Sequence, residues 1–530
     1  MKTIKMLVSL MLVFMMIFSM SSVALAAEHP VKVTVDERLK GHVFDAYQIF
    51  TGTETDTDKQ LVDVAWGTGI KDVEFLAALK AETSFGDRFK DCEDAADVAK
   101  ALDGIADDSA MAKKFAELAY ANKTDTRTRI APPQANLPSG GYYLIVDNTT
   151  LTDGDAANAA LLQVTDSINI AYKTDKPIVE KKVLEEDKYT TDDGYGVGYN
   201  DVADYCINED VTYHLIGRVP DMSEYDEYEY WFVDEMDTAL TLYEDSIKVY
   251  LSADKKVDES DSLISDALYT KTTTTKGFDV YFEDLKEVSG ISKDMYVIVE
   301  YKANVSLTAE PGLNGYLNGV HLKYTNNPDQ GGLGKTEKDY VIVFTYKLDV
   351  TKIDGETKEG LSGAEFVLYR GEGDNKEYVQ INGDNKVTGW TKDKTQAKTF
   401  VTVEDEAFGV IGLDDGTYYL EETKAPEGYN LLKKPIKLEI KATTSNGQNW
   451  NDKTPANALT ALKLDVTIEG KAPTTAVGDV TTGVVATEVE NNQGTTLPET
   501  GGIGTTLFYI VGAALVLGAV VVLITRKRMN

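Results

Sequence analysis

Residues 177–492 carry the pattern that most constrains this chain. Short runs rich in β-branched residues and tyrosine, such as Val211–Leu215, Ile247–Tyr250, Met295–Val299 and Tyr340–Phe344, are separated by Asp, Asn and Gly turns. Helical periodicity is nearly absent. From about residue 346 the same grammar returns in shorter form, in KLDVTKID, AEFVLY, GTYYLEET and IKLEI. Regularly spaced turns between short strands predict β-sandwiches. A chain of 530 residues is too long for one core, so several domains are expected. With 42% hydrophobic and 26% charged residues, wholesale disorder is excluded.

Residues 28–172 read differently. Val31-Lys32-Val33-Thr34-Val35 alternates as a half-buried strand does, whereas residues 93–122 are alanine-rich. There Met111, Phe115, Leu118 and Ala119 fall at helical spacing, which predicts a helix with one apolar stripe. Gly140, Gly141 and the run Tyr142–Val146 close a mixed α+β unit.

Several chemistries are poorly supported. The formal charge of −34, from 53 basic against 87 acidic residues, repels phosphate backbones, so nucleic acid is not an expected partner. Cys92 and Cys206 cannot build a disulfide framework or a four-cysteine zinc site, and the four histidines have no metal-ligand spacing. Gly334-Lys335-Thr336 ends like a phosphate loop, but its first glycine would fall on Asp329. Asp56-Thr57-Asp58 lacks the glycine and glutamate of a calcium loop. No metal, no cofactor and no conventional enzyme site is expected.

The two ends place the chain outside the cell. Lys2 and Lys5, an apolar stretch and Ala24-Leu25-Ala26 predict a secretory signal peptide over residues 1–26. At the other end Thr506–Thr525 is uncharged and long enough, at about 30 Å as a helix, to cross a bilayer core. Arg526, Lys527 and Arg528 follow, which predicts a cytoplasmic C-terminus. Immediately ahead stand Leu497, Pro498, Glu499, Thr500 and Gly501. Pentapeptide, span and basic tail in this order resemble the cell-wall sorting signal of Gram-positive surface proteins. The resemblance implies that sortase, a membrane transpeptidase, cleaves between Thr500 and Gly501, holds Thr500 as a thioester and passes it to an amine.

Two further resemblances concern the β-rich segments. Val350-Thr351-Lys352-Ile353-Asp354, LSGAEFVLY and the stretch Tyr418–Tyr429 (YYLEETKAPEGY) resemble a CnaB-type domain, an immunoglobulin-like sandwich often locked by a Lys–Asn isopeptide bond. By that resemblance Lys352 is the amine, Glu422 the assisting acid and Asn491 the partner amide, with Asn492 the runner-up. Burial lowers a lysine pKa and raises a carboxyl pKa, so both groups become neutral. A neutral amine can then attack the amide, while the protonated acid hydrogen-bonds the amide oxygen and shuttles protons as ammonia leaves. The middle segment resembles a CnaA-like domain, through Lys176–Val183, Tyr230–Asp234 and LNGVHLKYTNNP. There Lys182 is the expected amine, with Lys181 left open by the alternation. Asp234 is the expected acid and Asn318 the expected amide, with Asn314 as alternative.

Taken whole, the chain resembles the major (backbone) pilin of sortase-assembled Gram-positive pili. The reading divides it into signal peptide 1–26, an α+β domain 27–173, a CnaA-like sandwich 174–345, a CnaB-type sandwich 346–492 and an anchor region 493–530. Such a subunit is a structural, wall-anchored protein. Its implied partners are sortase, peptidoglycan and other copies of itself joined head to tail, with minor pilins and host ligands as further partners. The family's acceptor lysine, commonly in YPKN, falls on Lys173 in Ile170–Pro177, and Lys176 is the runner-up. The proline before that lysine and the asparagine after it are absent here. The rival readings are a monomeric wall-anchored adhesin and a minor pilin at tip or base.

Overall fold

The computed structural model describes residues 31–55, 61–106, 109–131, 134–158, 160–164, 167–170, 175–188, 191–329, 331–445, 447–450, 453–494 and 503–528. The expected signal peptide, Lys173 and the LPETG pentapeptide lie outside the described residues. The chain forms two compact units, one of residues 1–345 with 443–460, the other of 346–442 with 461–530. Residues 443–460, expected in the last domain, fall in the first unit.

In the first unit Phe44–Glu54 runs through a five-stranded sheet with Leu61–Trp66, Thr128–Ile130, Tyr142–Asp147 and Leu161–Val164. A three-stranded sheet joins Val31–Val35 to Gln134–Leu137 and, in parallel, to Ser167–Ile170. Helices Asp72–Ala81 and Ala110–Ala121 bring Phe75 and Phe115 edge to face at 5.2 Å. The second of these starts where the Ser109 hydroxyl accepts from the Ala112 amide at 3.2 Å. Its stripe is narrower than expected: Phe115 and Ala119 are buried and Leu118 half-buried, but Met111, in the first turn, is exposed.

The rest of this unit holds two large sheets. One orders Tyr199–Asn200, Val179–Leu184, Asp210–Arg218, Tyr296–Val305, Leu240–Ser252 and Ser262–Leu263. The other runs Val202–Asp204, Asp339–Phe344, Tyr316–Thr325, Tyr230–Met236, Gly277–Phe282 and Thr270–Thr274, with Leu333–Lys335 beside Tyr316–Thr325. Inward-facing residues alternate along the strands. Tyr230, Phe232 and Asp234 are buried on one strand, as are Tyr316, Asn318, Val320 and Leu322 on its neighbour. Residues 443–460 are tied in by long-range bonds. Gln448 donates to the Tyr199 carbonyl at 2.7 Å, and the Trp450 amide to Asp201 Oδ2 at 2.9 Å.

In the second unit Tyr346–Asp354 pairs antiparallel with Ala407–Leu413 and parallel with Val484–Asn491. A larger sheet carries Glu365–Arg370, Gly416–Lys424 and Ile436–Thr444 at its centre. The parallel pairing of first and last strands sets Lys352 opposite Val489 and Asp354 opposite Asn491. Ile503–Arg528 is one helix, of which Leu507–Arg528, with mean hydropathy 2.8, is long and apolar enough to cross a membrane. The molecule is mostly β, as the strand grammar predicts. Cys92 and Cys206 are both buried, and no disulfide joins them.

Candidate functional site

Strand alternation builds the site in the second unit. On Tyr346–Asp354 the inward phase is Tyr346, Leu348, Val350 and then Lys352, so a lysine takes a position prepared for an apolar side chain. Glu422 follows Tyr418 and Leu420 in the same way, and Asn491 follows Val485 and Val489. All three are buried, whereas Asn492 is exposed. Lys352 Nζ donates to the carbonyls of Val489 at 3.0 Å and Ile353 at 3.2 Å. A neutral amine has two N–H bonds, and both have acceptors here, which leaves the lone pair available. Burial pulls the Lys352 amine down to about 8 and pushes the Glu422 carboxyl up.

Glu422 sits on the amide. Asn491 Nδ2 donates to its two carboxyl oxygens at 2.9 and 3.2 Å, and to the Asn430 carbonyl at 3.1 Å. The Leu432 amide fixes the carboxyl at 2.8 Å. The acid therefore touches the nitrogen of the amide rather than the carbonyl oxygen expected from the sequence. Asn491 Oδ1 is buried and has no hydrogen-bond partner among the described residues.

The first unit holds a second cluster of the same kind. Lys181, Asp234 and Asn318 are fully or almost fully buried, and Lys181 Nζ contacts both Asp234 Oδ2 and Asn318 Oδ1 across the two sheets. Burial pulls the Lys181 amine down to about 8 and pushes the Asp234 carboxyl up. The expectation that Lys182 faces this cluster is corrected. Lys181 shares the inward phase of Val179 and Val183, while Lys182 points the other way and pairs with Asp201. Asp201 sits there because Tyr199–Asn200 pairs with Val183 and Leu184.

Two tyrosines at this site escaped the sequence reading. Tyr301 accepts from Asn318 Nδ2 at 2.7 Å and donates to Asp234 Oδ2 at 3.1 Å. Its ring stacks on Tyr213, its cross-strand partner, with centroids 5.1 Å apart. Lys181 Nζ lies 5.5 Å from the Tyr301 ring centroid and 5.6 Å from that of Tyr213. Of the two candidate acceptor lysines only Lys176 is described, and its Nζ donates to the Gly154 carbonyl.

These clusters define a surface protein whose β-domains bury a lysine against an amide and an acid ahead of a membrane-spanning helix. Residues 346–454 match the prealbumin-like fold domain SpaA, and residues 489–530 match the LPXTG cell wall anchor motif. The chain is thus a cell-wall-anchored surface protein with a prealbumin-like domain. In sequence it is similar to the trypsin-resistant surface T6 protein of Streptococcus pyogenes serotype M6, at 26% identity over 280 residues. That match covers 43% of this chain and 48% of the T6 protein, so the chain spans about half the length of this curated relative. Similar solved structures include the T6 backbone pilin of serotype M6 Streptococcus pyogenes, at 17% identity and a TM-score of 0.49, covering 89% of this chain and 100% of that one. Another is the major pilin SpaD of Corynebacterium diphtheriae, at 15% identity and a TM-score of 0.45, covering 90% and 100%.

Proposed function

We propose that the chain is the structural shaft subunit of a covalently polymerised surface pilus, with an internal isopeptide bond in each sandwich. The buried Lys–acid–Asn clusters ahead of the LPXTG anchor carry this reading. In the second unit neutral Lys352 attacks the Asn491 side-chain carbon. Glu422, which already contacts Nδ2, protonates the departing nitrogen as ammonia and regains the proton that Lys352 Nζ gives up. In the first unit Lys181 is the amine, Asn318 the amide and Asp234 the assisting acid. Each bond closes a covalent path between early and late strands of its sandwich, a role that disulfides fill elsewhere.

Polymerisation follows from the ends. Thr500 of one copy, held by sortase, is passed to Lys173 of another, with Lys176 as the alternative acceptor. This contact is heterologous and does not close, so it propagates as a fibre. Immunoblots of cell-wall extract boiled in SDS are expected to show a ladder of covalent multimers. A single monomeric band would instead mark the chain as a monomeric wall-anchored adhesin.

Two predictions concern the clusters. Glu422→Ala is expected to fold, to retain the Asn491 ammonia and to expose the second unit to protease, because its terminal strands can peel apart. Intact mass and limited proteolysis check this, and a Lys352–Asn491 peptide surviving in the variant would contradict it. Asn318→Ala leaves Lys181 buried as a free amine. With its folded pKa near 8, below the ordinary 10.5, the unfolded chain binds more protons between those values. Stability of this variant is expected to rise with pH through that window, read from urea midpoints, whereas a flat profile would contradict a buried neutral amine.

A further inference from the structure

The two clusters differ in one respect that bears on the chemistry. Amide exchange moves one proton from the attacking amine to the departing nitrogen. In the second unit the glutamate reaches that nitrogen itself, at 2.9 and 3.2 Å. In the first unit the acid is an aspartate, one methylene shorter, and Asn318 Nδ2 bonds instead to the Tyr301 hydroxyl at 2.7 Å. That hydroxyl bonds in turn to Asp234 Oδ2 at 3.1 Å, the same oxygen that Lys181 Nζ contacts. Lys181, Asn318 and Tyr301 are fully buried and Asp234 almost so, so the proton must travel between protein groups.

We propose that Tyr301 is a catalytic residue of the first unit's isopeptide reaction, relaying the proton from Lys181 Nζ, by way of Asp234, to the departing Nδ2 of Asn318. This rests on the isopeptide reading above. In the resting amide the Nδ2 lone pair is delocalised, so Nδ2 donates to Tyr301 and Tyr301 donates to Asp234. When neutral Lys181 attacks Cγ, the C–Nζ bond forms, the carbonyl becomes tetrahedral and Nδ2 regains a localised lone pair. The relay then reverses. Nζ gives a proton to Asp234 Oδ2, Asp234 gives one to the Tyr301 oxygen, and Tyr301 gives its own to Nδ2. The C–Nδ2 bond breaks, ammonia leaves, the carbonyl re-forms, and Asp234 and Tyr301 end in their starting states. Tyr301 is held for this by its stack on Tyr213 and by the edge of Phe278, 4.7 Å between centroids.

The test compares full chains by intact mass and by peptide mapping of the Lys181–Asn318 link, followed over time after isolation. Tyr301→Phe keeps the ring packing and is expected to convert roughly 100-fold more slowly, the usual scale of a lost acid–base group. Its Lys352–Asn491 bond should form as in the native chain. Tyr213→Phe removes the other hydroxyl of the stack, which is not among the groups bonded to Asp234 Oδ2, and is expected to convert fully. Asp234→Glu in the Tyr301→Phe background restores an acid long enough to reach Nδ2, and is expected to recover cross-linking. Native-rate conversion in Tyr301→Phe, equal slowing in Tyr213→Phe, or no recovery in the double variant would overturn the relay. A native chain that never loses the Asn318 ammonia would instead sink the isopeptide reading itself.

Discussion

A Lys173→Ala chain is expected to reach the wall as a monomer and to form no SDS-resistant ladder. The reasoning separates the two ends of the transfer. The donor end, Leu497–Gly501 with its span and basic tail, is intact in this variant, so on the proposed mechanism sortase is still expected to cleave it and peptidoglycan to offer an amine. Only the proposed acceptor on the next copy is gone, and each link in a head-to-tail polymer needs one. The effect is therefore all or nothing rather than graded. A ladder that persists in Lys173→Ala and vanishes in Lys176→Ala would move the acceptor to Lys176. Persistence in both would remove this acceptor segment from the mechanism.

The second large effect is on mass and stability together. Residues 27–500 are expected to be lighter than their sequence by two ammonia molecules, about 34 Da, since each attack on an amide expels one NH₃. A deficit of one ammonia would restrict the chemistry to one unit, and none would exclude it from both. Lys181 and Asn318 are 137 residues apart, and Lys352 and Asn491 close a loop of similar length. Cross-links across loops this long restrict the unfolded chain by about 5 kcal/mol each in the chain-entropy account. Asn318→Ala and Asn491→Ala are therefore each expected to lower stability by about that amount, in separate calorimetric transitions if the units melt independently. Changes below about 1 kcal/mol would mean that no bond had been lost.

How much of this was legible in the sequence depends on the range of the interaction that decides it. Lys352, Glu422 and Asn491 were legible through the resemblance to a CnaB-type domain, and each falls in the inward phase of a strand otherwise filled by Leu, Val and Tyr. Asp234 and Asn318, read from the CnaA-like resemblance, also face inward on their strands. The choice between Lys181 and Lys182 was harder because both faces of Val179–Leu184 are covered, one by the core and one by Asp201. In the folded strand Lys181 shares the buried phase of Val179 and Val183, which alternation in the sequence left open. Tyr301 was not legible. It is one of 29 tyrosines, and its hydroxyl meets Asn318 and Asp234 only through the pairing of strands distant in sequence. The attachment of 443–460 to the first unit was equally hidden, because it depends on bonds to Tyr199 and Asp201, some 249 residues away.

The central claim, a shaft built of identical copies joined covalently, is tested most directly by mass spectrometry of a protease digest of wall-derived high-molecular-weight material. The account predicts a branched peptide in which the carboxyl of Thr500 is bonded to the Nζ of Lys173 from another copy of this chain. Thr500 found attached only to peptidoglycan cross-bridge, with Lys173 and Lys176 both free, would contradict it.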